Sequence, residues 1–263
     1  MNDRLQRWSA PAIVGVLLLA GLLFPTSPAF AVDGGRAVQE ANAYPYVGML
    51  TVPRADSDTL YELCTAVLVS PTWVLTAKHC IARHGYNIAR APINIQLSKI
   101  SSSEIGVIQR DARELVFGAD FDLALLRVDP ITEIQPVELV NQDEEELYEN
   151  GTVATAIGWG GNRDNTLEYP GTLNEGTQEV EDQTYSLAQL YSGYNYLMKT
   201  TPNNGDGKVH NGDSGGPLIV ETAGFGSPRR VLIGIVSQGD SSGGGAYTKI
   251  GSTYSWITQA MER

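Results

Sequence analysis

The chain has 263 residues, of which 42% are apolar and 18% are charged, and this composition excludes a disordered tail and a coiled coil. Its 28 glycines and 13 prolines favour many turns over long helices, and its length suits one large globular unit or two small lobes. The formal net charge is −12, from 18 basic and 30 acidic residues. Nucleic-acid binding is not expected, because affinity for phosphates depends on Lys and Arg, whereas a soluble monomer is favoured because its copies repel one another.

The first 31 residues have the pattern of a secretory signal peptide. Arg4 and Arg7 precede an apolar run at residues 10–24, and Ala-Phe-Ala follows at residues 29–31. A basic start, a short apolar segment and an A-x-A end are typical of a signal that is cleaved during export. The alternative is a membrane anchor, but the run has 15 residues where a spanning helix needs about 20. We therefore predict cleavage after residue 31, secretion, and no attachment to a membrane afterwards.

Short apolar or alternating runs, separated by Gly, Pro, Asn and Asp, follow one another along the rest of the chain. Most are four to seven residues long and rich in Val, Ile, Leu and Thr. A single run of this length is ambiguous, but so many of them predict an all-β fold, either a barrel or a sandwich. In chain order, the runs are residues 46–52, 65–69, 73–77, 93–97, 123–128, 153–157, 217–220, 231–237 and 246–250.

Two polar stretches interrupt this pattern. Residues 141–151 contain five acidic residues and predict a solvated connector rather than a calcium site. Residues 162–176 are rich in Asn, Asp, Gly and Glu and predict a long surface loop. Only the end of the chain predicts a helix, since apolar residues recur there at helical spacing after a cap at Ser252 or Thr253.

The two cysteines, Cys64 and Cys80, acquire a role if the protein is exported. In an oxidising compartment they can form one disulfide, which we prefer to two free buried thiols. A disulfide that closes a loop of this length stabilises a fold by about 3 kcal/mol in the chain-entropy account. Two cysteines with one neighbouring histidine offer too few ligands for a zinc site, and we predict neither a metal nor a cofactor.

The segment Asn211–Pro217, with the sequence Asn-Gly-Asp-Ser-Gly-Gly-Pro, carries the strongest chemical signal. Gly212 allows the backbone to approach a substrate closely. Ser214, next to exposed backbone N–H groups, can attack a carbonyl whose oxyanion those groups then stabilise. The structural alternative is a tight turn that leads into a strand. We favour a nucleophilic serine.

A serine hydroxyl needs a base, and the chain has three histidines. His79 follows an apolar run and precedes Cys80, so a disulfide would hold its imidazole rigidly. His84 lies in a polar turn, where a solvent-exposed role is expected. His210 is close to Ser214 in sequence, but this proximity alone does not establish a hydrogen bond.

A carboxylate should orient the base and stabilise its cationic form. Asp122 precedes the apolar residues 123–128, where a charge is costly to bury without a partner. Its structural alternative is a turn or cap aspartate, as for Asp120 beside it.

Three motifs occur in the order His, Asp, Ser, and together they carry a resemblance to a known family. They are Thr76-Ala77-Lys78-His79-Cys80, Asp122-Leu123-Ala124-Leu125 and Gly212-Asp213-Ser214-Gly215-Gly216-Pro217. The chain resembles the trypsin/chymotrypsin family of serine endopeptidases, in the smaller secreted form found in bacteria, over essentially its whole length after the signal. The resemblance implies an all-β fold of two packed six-stranded antiparallel β-barrels with a C-terminal α-helix. His79 and Asp122 would lie in a first barrel, residues 32–140, and Ser214 in a second, residues 141–263.

The resemblance also implies a catalytic role for these three residues. His79 would be the general base, Asp122 its orienting carboxylate and Ser214 the nucleophile that attacks a protein or peptide substrate. One rival is a catalytically silent homologue that binds a partner, although such proteins usually lose one of the three residues. Another is a secreted carbohydrate-binding module, which would leave the three ordered motifs as a coincidence.

Further residues acquire roles from the same resemblance. The backbone N–H groups of Gly212 and Ser214 would form the oxyanion hole. Ser237 and Gly239 lie in a segment that resembles the strand that pairs with the substrate backbone. The two cysteines match the family's disulfide beside the catalytic histidine.

The chain departs from the family pattern at several positions. Lys78 stands where the family often has Ala, and Gln238 stands where it often has an aromatic residue. His210 and Ser242 occupy the places of a cysteine pair that usually braces the specificity pocket.

Specificity is the feature that these departures affect most. Lys208, six positions before Ser214, occupies the place of the acidic residue with which trypsins bind Lys and Arg. With Lys208 at its floor and His210 on its wall, the pocket would repel basic side chains and accept acidic or neutral polar ones. Alternatively, Lys208 turns its stem to solvent and leaves an apolar pocket, or a shifted loop places Asp206 inside and restores trypsin-like cleavage.

Val32 and Asp213 form the expected activation pair. In many family members a cut frees an apolar residue whose amino group pairs with the Asp before the nucleophile. Here the predicted signal cleavage falls directly before Val32, so export itself would create the active form. Asp33, where the family usually has Val or Ile, is the weakest part of this match.

Overall fold

The computed structural model describes most of the chain that follows the predicted signal peptide. The described residues are 32, 34–53, 60–82, 92–101, 108–160, 171–181, 196–205, 207–223, 228–239 and 243–263. The predicted signal peptide, residues 1–31, lies outside them, as do His84, Asp206 and Ser242. Within them, no helix is long and apolar enough to cross a membrane.

Two β-sheets make up most of the regular structure among the described residues. The first sheet contains β2 (Val47–Pro53), β3 (Leu60–Ser70), β4 (Trp73–Thr76), β5 (Asn94–Leu97), β6 (Ile108–Asp111), β7 (Glu114–Phe117) and β8 (Ala124–Arg127). The second contains β1 (Arg36–Ala37), β9 (Glu138–Leu139), β10 (Val153–Gly158), β11 (Asn174–Val180), β12 (Leu197–Pro202), β13 (Pro217–Thr222), β14 (Arg229–Gly239) and β15 (Gly245–Lys249). The helices are α1 (Lys78–Ala82), α2 (Ile250–Met261) and the 3₁₀ helices Glu145–Tyr148 and Asn203–Gly205.

The second sheet closes into a six-stranded barrel. Its strands follow the order β11, β10, β13, β14, β15 and β12, and the last of these pairs with the first. The closing ladder joins residues 178–180 of β11 to residues 200–202 of β12. Neighbouring strands around the barrel are antiparallel, while β1 pairs with β11 and β9 pairs with β14 in addition.

The first sheet curls into a half-barrel around a sharp bend in the chain. Its order is β6, β5, β2, β3, β4, β8 and β7, and only Ala112 and Arg113 separate its two edge strands. The N–H of Ala112 donates to the carbonyl of Ile93 at 2.8 Å, and that of Arg113 donates to Arg127 at 2.7 Å. Hydrogen bonding therefore continues through the bend. The predicted fold class is confirmed, with one closed barrel, one curled half-barrel and a C-terminal helix.

The most apolar strands lie at the centre of the first sheet. Every residue of β4 and the first three residues of β8 are buried. Burying one large aliphatic side chain stabilises a fold by about 1.5–3 kcal/mol, so these strands are fixed firmly in place. All nine apolar runs of the sequence lie on strands of the two sheets, apart from at most one residue at each end of a run, which confirms that part of the prediction.

The expected surface loop at residues 162–176 is wrong at its end. Residues 174–176 begin β11, a strand that lies between β10 and β12 in the closed barrel. Asn174 and Glu175 are buried there despite their polarity. The side chain of Glu175 accepts a hydrogen bond from Nε of Arg36 at 2.7 Å, so a distant partner compensates for its burial.

The C-terminal helix is confirmed, but its expected cap at Ser252 or Thr253 is wrong. The helix begins at Ile250, and no side chain of its N-cap residue makes a capping hydrogen bond. The hydroxyl of Tyr148 instead accepts the N–H of Gly251 at 2.8 Å. A tertiary contact thus satisfies one of the N–H groups that the first turn of a helix leaves unpaired.

Candidate active site

The pairing of β4 with β8 brings His79 and Asp122 together. Thr76, at the end of β4, lies opposite Ala124, at the start of β8. The chain leaves β4 into α1, where His79 is the second residue, and it enters β8 shortly after Asp122. Two side chains that are 43 positions apart in the chain thus meet at one edge of the first sheet.

Asp122 holds His79 at two points. The backbone N–H of His79 donates to Oδ1 of Asp122 at 2.8 Å, and Nδ1 of the imidazole lies 2.7 Å from Oδ2. Ser237 donates its hydroxyl to the same Oδ2 at 2.6 Å. Because an ionised carboxylate can only accept, Nδ1 carries the proton and Nε2 remains able to take one.

The environment of Asp122 keeps its carboxyl group ionised. Burial opposes ionisation, but hydrogen bonds from His79 and Ser237 and the charge of a protonated His79 outweigh it, so the pKa of Asp122 is lowered from its ordinary value. At neutral pH the carboxylate can therefore orient the imidazole and stabilise its cationic form.

Ser214 lies in a tight turn that leads into β13. Its carbonyl accepts the N–H of Thr65 at 2.9 Å, and the N–H of Gly215 donates to Val236 at 2.8 Å. Gly215 has a φ of 80°, and a Cβ there would lie 2.1 Å from Oγ1 of Thr76, so a larger residue does not fit. The turn is held against both sheets, because Thr65 and Thr76 belong to the first sheet and Val236 belongs to the second.

His79 and Ser214 line one cavity of 390 Å³. Among the described residues, no hydrogen bond joins Oγ of Ser214 to Nε2 of His79. A substrate in this cavity could reach a hydroxyl nucleophile and an imidazole base at the same time. The cavity is lined by His79, Val209, His210, Asn211, Ser214, Ser237, Gln238 and Gly239.

Two backbone N–H groups at or beside Ser214 are available to a ligand. The N–H of Asp213 donates to His210 at 3.1 Å, and that of Gly216 donates to Asp213 at 2.8 Å. The N–H groups of Gly212 and Ser214, by contrast, have no acceptor within the part of the chain that the structure describes. Gly212 has a φ of 95°, a conformation that favours glycine. Their role as an oxyanion hole stays a prediction.

Asp213 is buried behind this turn, with 1% of its surface exposed. Its carboxylate accepts hydrogen bonds from the N–H groups of Gly160 and His210, both at 2.9 Å, and from the N–H of Val32. Burial raises the pKa of Asp213 to about 7, although these hydrogen bonds oppose the rise. A Cβ at Gly158 would lie 2.2 Å from Oδ1, so the carboxylate fits only beside a glycine.

Val32, the predicted partner of Asp213, is fully buried. A Cβ placed on Gly176 of β11 would lie 2.7 Å from Cγ1 of Val32 and 2.1 Å from Cα of Gly207. Val32, β11 and the segment that leads to the Ser214 turn are therefore in close contact. The structure brings the predicted activation pair together, and activation itself stays a prediction.

The residues predicted to bind substrate fall into two groups. Ser237 and Gly239 are among the described residues that line the cavity, whereas Lys208 is not. The aliphatic stem of Lys208 lies against Gly243, where an added Cβ would be 2.4 Å from Cγ of the lysine. His210, expected on the wall of the pocket, does line the cavity. The role of Lys208 in specificity stays a prediction.

Sequence reasoning missed two contacts of the site. Thr65, a fully buried residue of β3, donates its hydroxyl to the carbonyl of Gly212 at 3.0 Å and accepts the N–H of Trp159 at 3.1 Å. Ser237 was expected to contact substrate, and its hydrogen bond to Asp122 was not foreseen. In both contacts the bonded residues are far apart in the chain. The only signal in the sequence was that each of Thr65 and Ser237 is a polar residue in an apolar run.

The predicted disulfide between Cys64 and Cys80 is confirmed, with 6.1 Å between the two Cα atoms. It ties the residue after His79 to β3 of the first sheet. The two sulfurs and the imidazole lie close enough together to be compared with a metal site. They do not fit one, because sulfurs bonded to each other are not the thiolates that bind zinc.

Comparison with known proteins identifies the family. Residues 32–257 match the sequence profile of the family described as Trypsin. The chain is 28% identical to Duodenase-1 of Bos taurus over 264 residues, which cover 95% of this chain and 97% of that protein. It is 28% identical to Trypsin of Phaedon cochleariae over 278 residues, covering 96% and 97% of the two chains. Clotting factor C of Tachypleus tridentatus is 28% identical over 256 residues, which are 84% of this chain but 24% of that protein.

A closed β-barrel and a curled half-barrel, with a His–Asp pair and a serine at one cavity, form the architecture of a serine protease. Because the family profile spans most of its length, the chain belongs to the trypsin family. Membership implies serine protease activity toward protein or peptide substrates. These relatives are eukaryotic, so the expected bacterial form of the family is not confirmed.

The hydrogen bond from Ser237 to Asp122 generates a prediction about stability and pH. The lowered pKa of Asp122 means that its carboxylate stabilises the fold above its unfolded pKa, about 3.9, and that this stability is lost as the pH falls through the folded pKa. Ser237→Ala should lower the free energy of unfolding at pH 7 by about 1 kcal/mol. This decrease in the free energy of unfolding should become smaller toward pH 3. Urea unfolding at several pH values measures it.

Ser255→Ala provides the matched control, because Ser255 lies on α2 and its hydroxyl is hydrogen-bonded, among the described residues, only to the exposed side chain of Gln142. Its effect should be small and the same at each pH. A loss for Ser237→Ala that does not change between pH 3 and pH 7 would contradict the assigned contact.

Proposed function

We propose that this protein is a secreted serine endopeptidase that hydrolyses peptide bonds through an acyl-enzyme intermediate. The observation that carries the proposal is the two-point hydrogen bonding of His79 to Asp122, at the wall of a cavity that Ser214 also lines. A base held in this way can activate a weak hydroxyl nucleophile. The signal pattern of residues 1–31 supports secretion.

In the proposed reaction, Nε2 of His79 takes the hydroxyl proton of Ser214 as the oxygen attacks the peptide carbonyl. The N–H groups of Gly212 and Ser214 stabilise the oxyanion. The imidazolium then gives its proton to the leaving amine, and an ester between Ser214 and the acyl group remains. Water, deprotonated by the same imidazole, hydrolyses that ester, while Asp122 stays ionised throughout.

The end of β14 supports substrate binding beside the nucleophile. Val236 pairs with Tyr247 and Gln238 pairs with Ala246, so the register shifts at Ser237. This irregularity lies where Ser237, Gln238 and Gly239 line the cavity. An extended peptide could add to this segment as a further strand through main-chain hydrogen bonds.

The main alternative is a catalytically silent homologue that binds a protein partner. Such proteins usually lack one of the three catalytic residues, whereas His79, Asp122 and Ser214 are all present here. A carbohydrate-binding module does not account for a Trypsin-family match over residues 32–257. Hydrolysis of an unbiased peptide library distinguishes an enzyme from a silent homologue.

Substitution of the three catalytic residues tests the proposal directly. Ser214→Ala should abolish covalent labelling by a fluorophosphonate, because the attacking oxygen is missing. His79→Ala and Asp122→Ala should lower kcat for peptide hydrolysis by about 10³-fold or more, because the base is lost or misoriented. Ser255→Ala, on α2, serves as the matched serine control and should be labelled as the wild type is. Hydrolysis by Ser214→Ala at the wild-type rate would rule out the assigned nucleophile.

Activation is proposed to depend on a free amino group at Val32. The N–H of Val32 already reaches the buried carboxylate of Asp213, so cleavage before Val32 would create an ammonium beside it. This positive charge would favour the ionised carboxylate and hold the Ser214 turn in its active shape. Breaking such a buried pair costs about 3–5 kcal/mol.

A comparison of two chain starts tests this activation. A form that begins at Val32 should be active, and a form with two additional residues before Val32 should be about 100-fold less active. Equal activity of both forms, or an active secreted enzyme that starts well upstream of Val32, would contradict the proposal.

The side-chain preference is proposed to differ from that of trypsins. No acidic residue is found among the described residues that line the cavity, and Lys208 directly precedes Val209, which does line it. A nearby ammonium disfavours a basic substrate side chain, and His210 and Asn211 offer polar contacts instead.

Peptide substrates that differ only in the residue before the cleaved bond test this preference. Arg should not be preferred over Glu or Phe, and Lys208→Ala should increase relative cleavage after Arg by about tenfold. Lys199→Ala is the matched control and should leave the preference unchanged. The ammonium of Lys199 pairs with Glu181 at 2.8 Å. A strong preference of the wild type for Arg would instead favour Asp206 as the residue that sets specificity. An unaltered preference in Lys208→Ala would exclude Lys208 as a determinant of specificity.

A further inference from the structure

Lys78 lies beside His79, and its side chain makes contacts that the proposed reaction does not yet use. The side chain is half-buried, and its ammonium donates hydrogen bonds to the carbonyls of Gly118 and Ala119 at 2.7 and 3.3 Å. Both carbonyls belong to the connection between β7 and β8, which also carries Asp122. Lys78 therefore joins the residue before the base to the turn that carries the orienting carboxylate.

The turn between β7 and β8 is otherwise held at its base, at its side and, through Asp122, by the hydroxyl of Ser237. The N–H of Gly118 donates to the carbonyl of Leu123 at 2.9 Å and closes the turn. The ring of Phe121 packs on Gly118, and it contacts the rings of Trp256 and Tyr196 at centroid distances of 5.0 and 5.1 Å. These contacts fix the shape of the turn, but they do not join it to the start of α1.

The geometry of the His–Asp pair is sensitive to how the turn is joined to α1. Oδ1 of Asp122 accepts the backbone N–H of His79 and Oδ2 accepts its imidazole, so a small displacement of the turn from α1 stretches both contacts. Lys78 is covalently next to His79, and its ammonium bonds set the distance between the turn and the same helix start. A hydrogen bond from a charged donor is stronger than one between neutral groups, so this link resists displacement.

We propose that Lys78 is a positioning residue of the active site, which fixes the β7–β8 turn so that Asp122 holds the imidazole of His79 in its reactive orientation. The inference rests on the proposed function, because orientation of a base matters only in a catalytic site. Lys78 acts through Asp122 and has no assigned contact with substrate. Its loss should therefore lower kcat and leave KM nearly unchanged.

Three variants of the full mature enzyme test this role. Lys78→Met removes the charge and the donors but keeps most of the aliphatic stem, whereas Lys78→Arg keeps a cationic donor. Lys199→Met removes a half-buried lysine elsewhere and is the matched control. In Lys78→Met we expect kcat to fall about tenfold, since a small misplacement of a catalytic group costs that much or more. Lys78→Arg should restore most of the rate, and Lys199→Met should retain it.

Proton NMR of the His79 side chain gives a readout that is independent of turnover. The low-field resonance of the Nδ1 proton, which lies between His79 and Asp122, should broaden in Lys78→Met and recover in Lys78→Arg. Should Lys78→Met fail to fold, Lys78→Gln, which removes the charge but keeps a neutral amide group, is measured by the same criteria.

The results separate a failure of this inference from a failure of the proposed function. An unchanged kcat in Lys78→Met, equal losses in Lys78→Met and Lys78→Arg, or a loss of kcat with an unaltered Nδ1 resonance would each overturn the positioning role. An inactive wild-type protein would contradict the proposed function instead. In that case the Nδ1 resonance of the wild type and of Lys78→Met still decides whether Lys78 positions the pair.

Discussion

The antiparallel pairing of β4 with β8 is the constraint on which the site depends. It sets Thr76 opposite Ala124, and the chain segments that adjoin these two residues carry His79 and Asp122. Every residue of β4 and the first three residues of β8 are buried, so a slip of one residue would disrupt the packing on both faces of the sheet. The hydrophobic core of the first sheet therefore fixes the distance between a base and its carboxylate, which their mutual hydrogen bonds then refine.

A buried threonine couples the two sheets at the nucleophile. Thr65 of β3 donates its N–H to the carbonyl of Ser214 and its hydroxyl to the carbonyl of Gly212. The same hydroxyl accepts the N–H of Trp159, a residue that follows β10 of the second sheet. The cavity that His79 and Ser214 line is thus a product of the interface, and neither sheet could form it alone. Hydrogen bonds buried in this way are strong, and they are costly to break.

Much of the fold could be predicted from apolar periodicity, but β11, a strand of the closed barrel, escaped prediction because it is polar. β11 has the sequence Asn-Glu-Gly-Thr-Gln-Glu-Val, which contains no apolar run. Its residue Gln178 is fully buried and accepts a hydrogen bond from Thr200 of β12 at 2.5 Å, while its own amide donates to the carbonyl of Gly207. A polar strand can close the barrel because tertiary partners satisfy its side chains, and a single sequence does not reveal those partners.

The sequence by itself was enough to single out His79, Asp122 and Ser214 as the candidates for the proposed chemistry, because they lie in short motifs that can be recognised locally. It also determined the disulfide, since two cysteines have only one way to pair. Only the tertiary structure decided which groups surround them: that Ser237 also bonds to Asp122, and that Lys208 packs on Gly243 outside the lining of the cavity. The physical reason is that hydrogen bonding, burial and charge act over a few ångströms, and such distances join residues that are far apart in the chain.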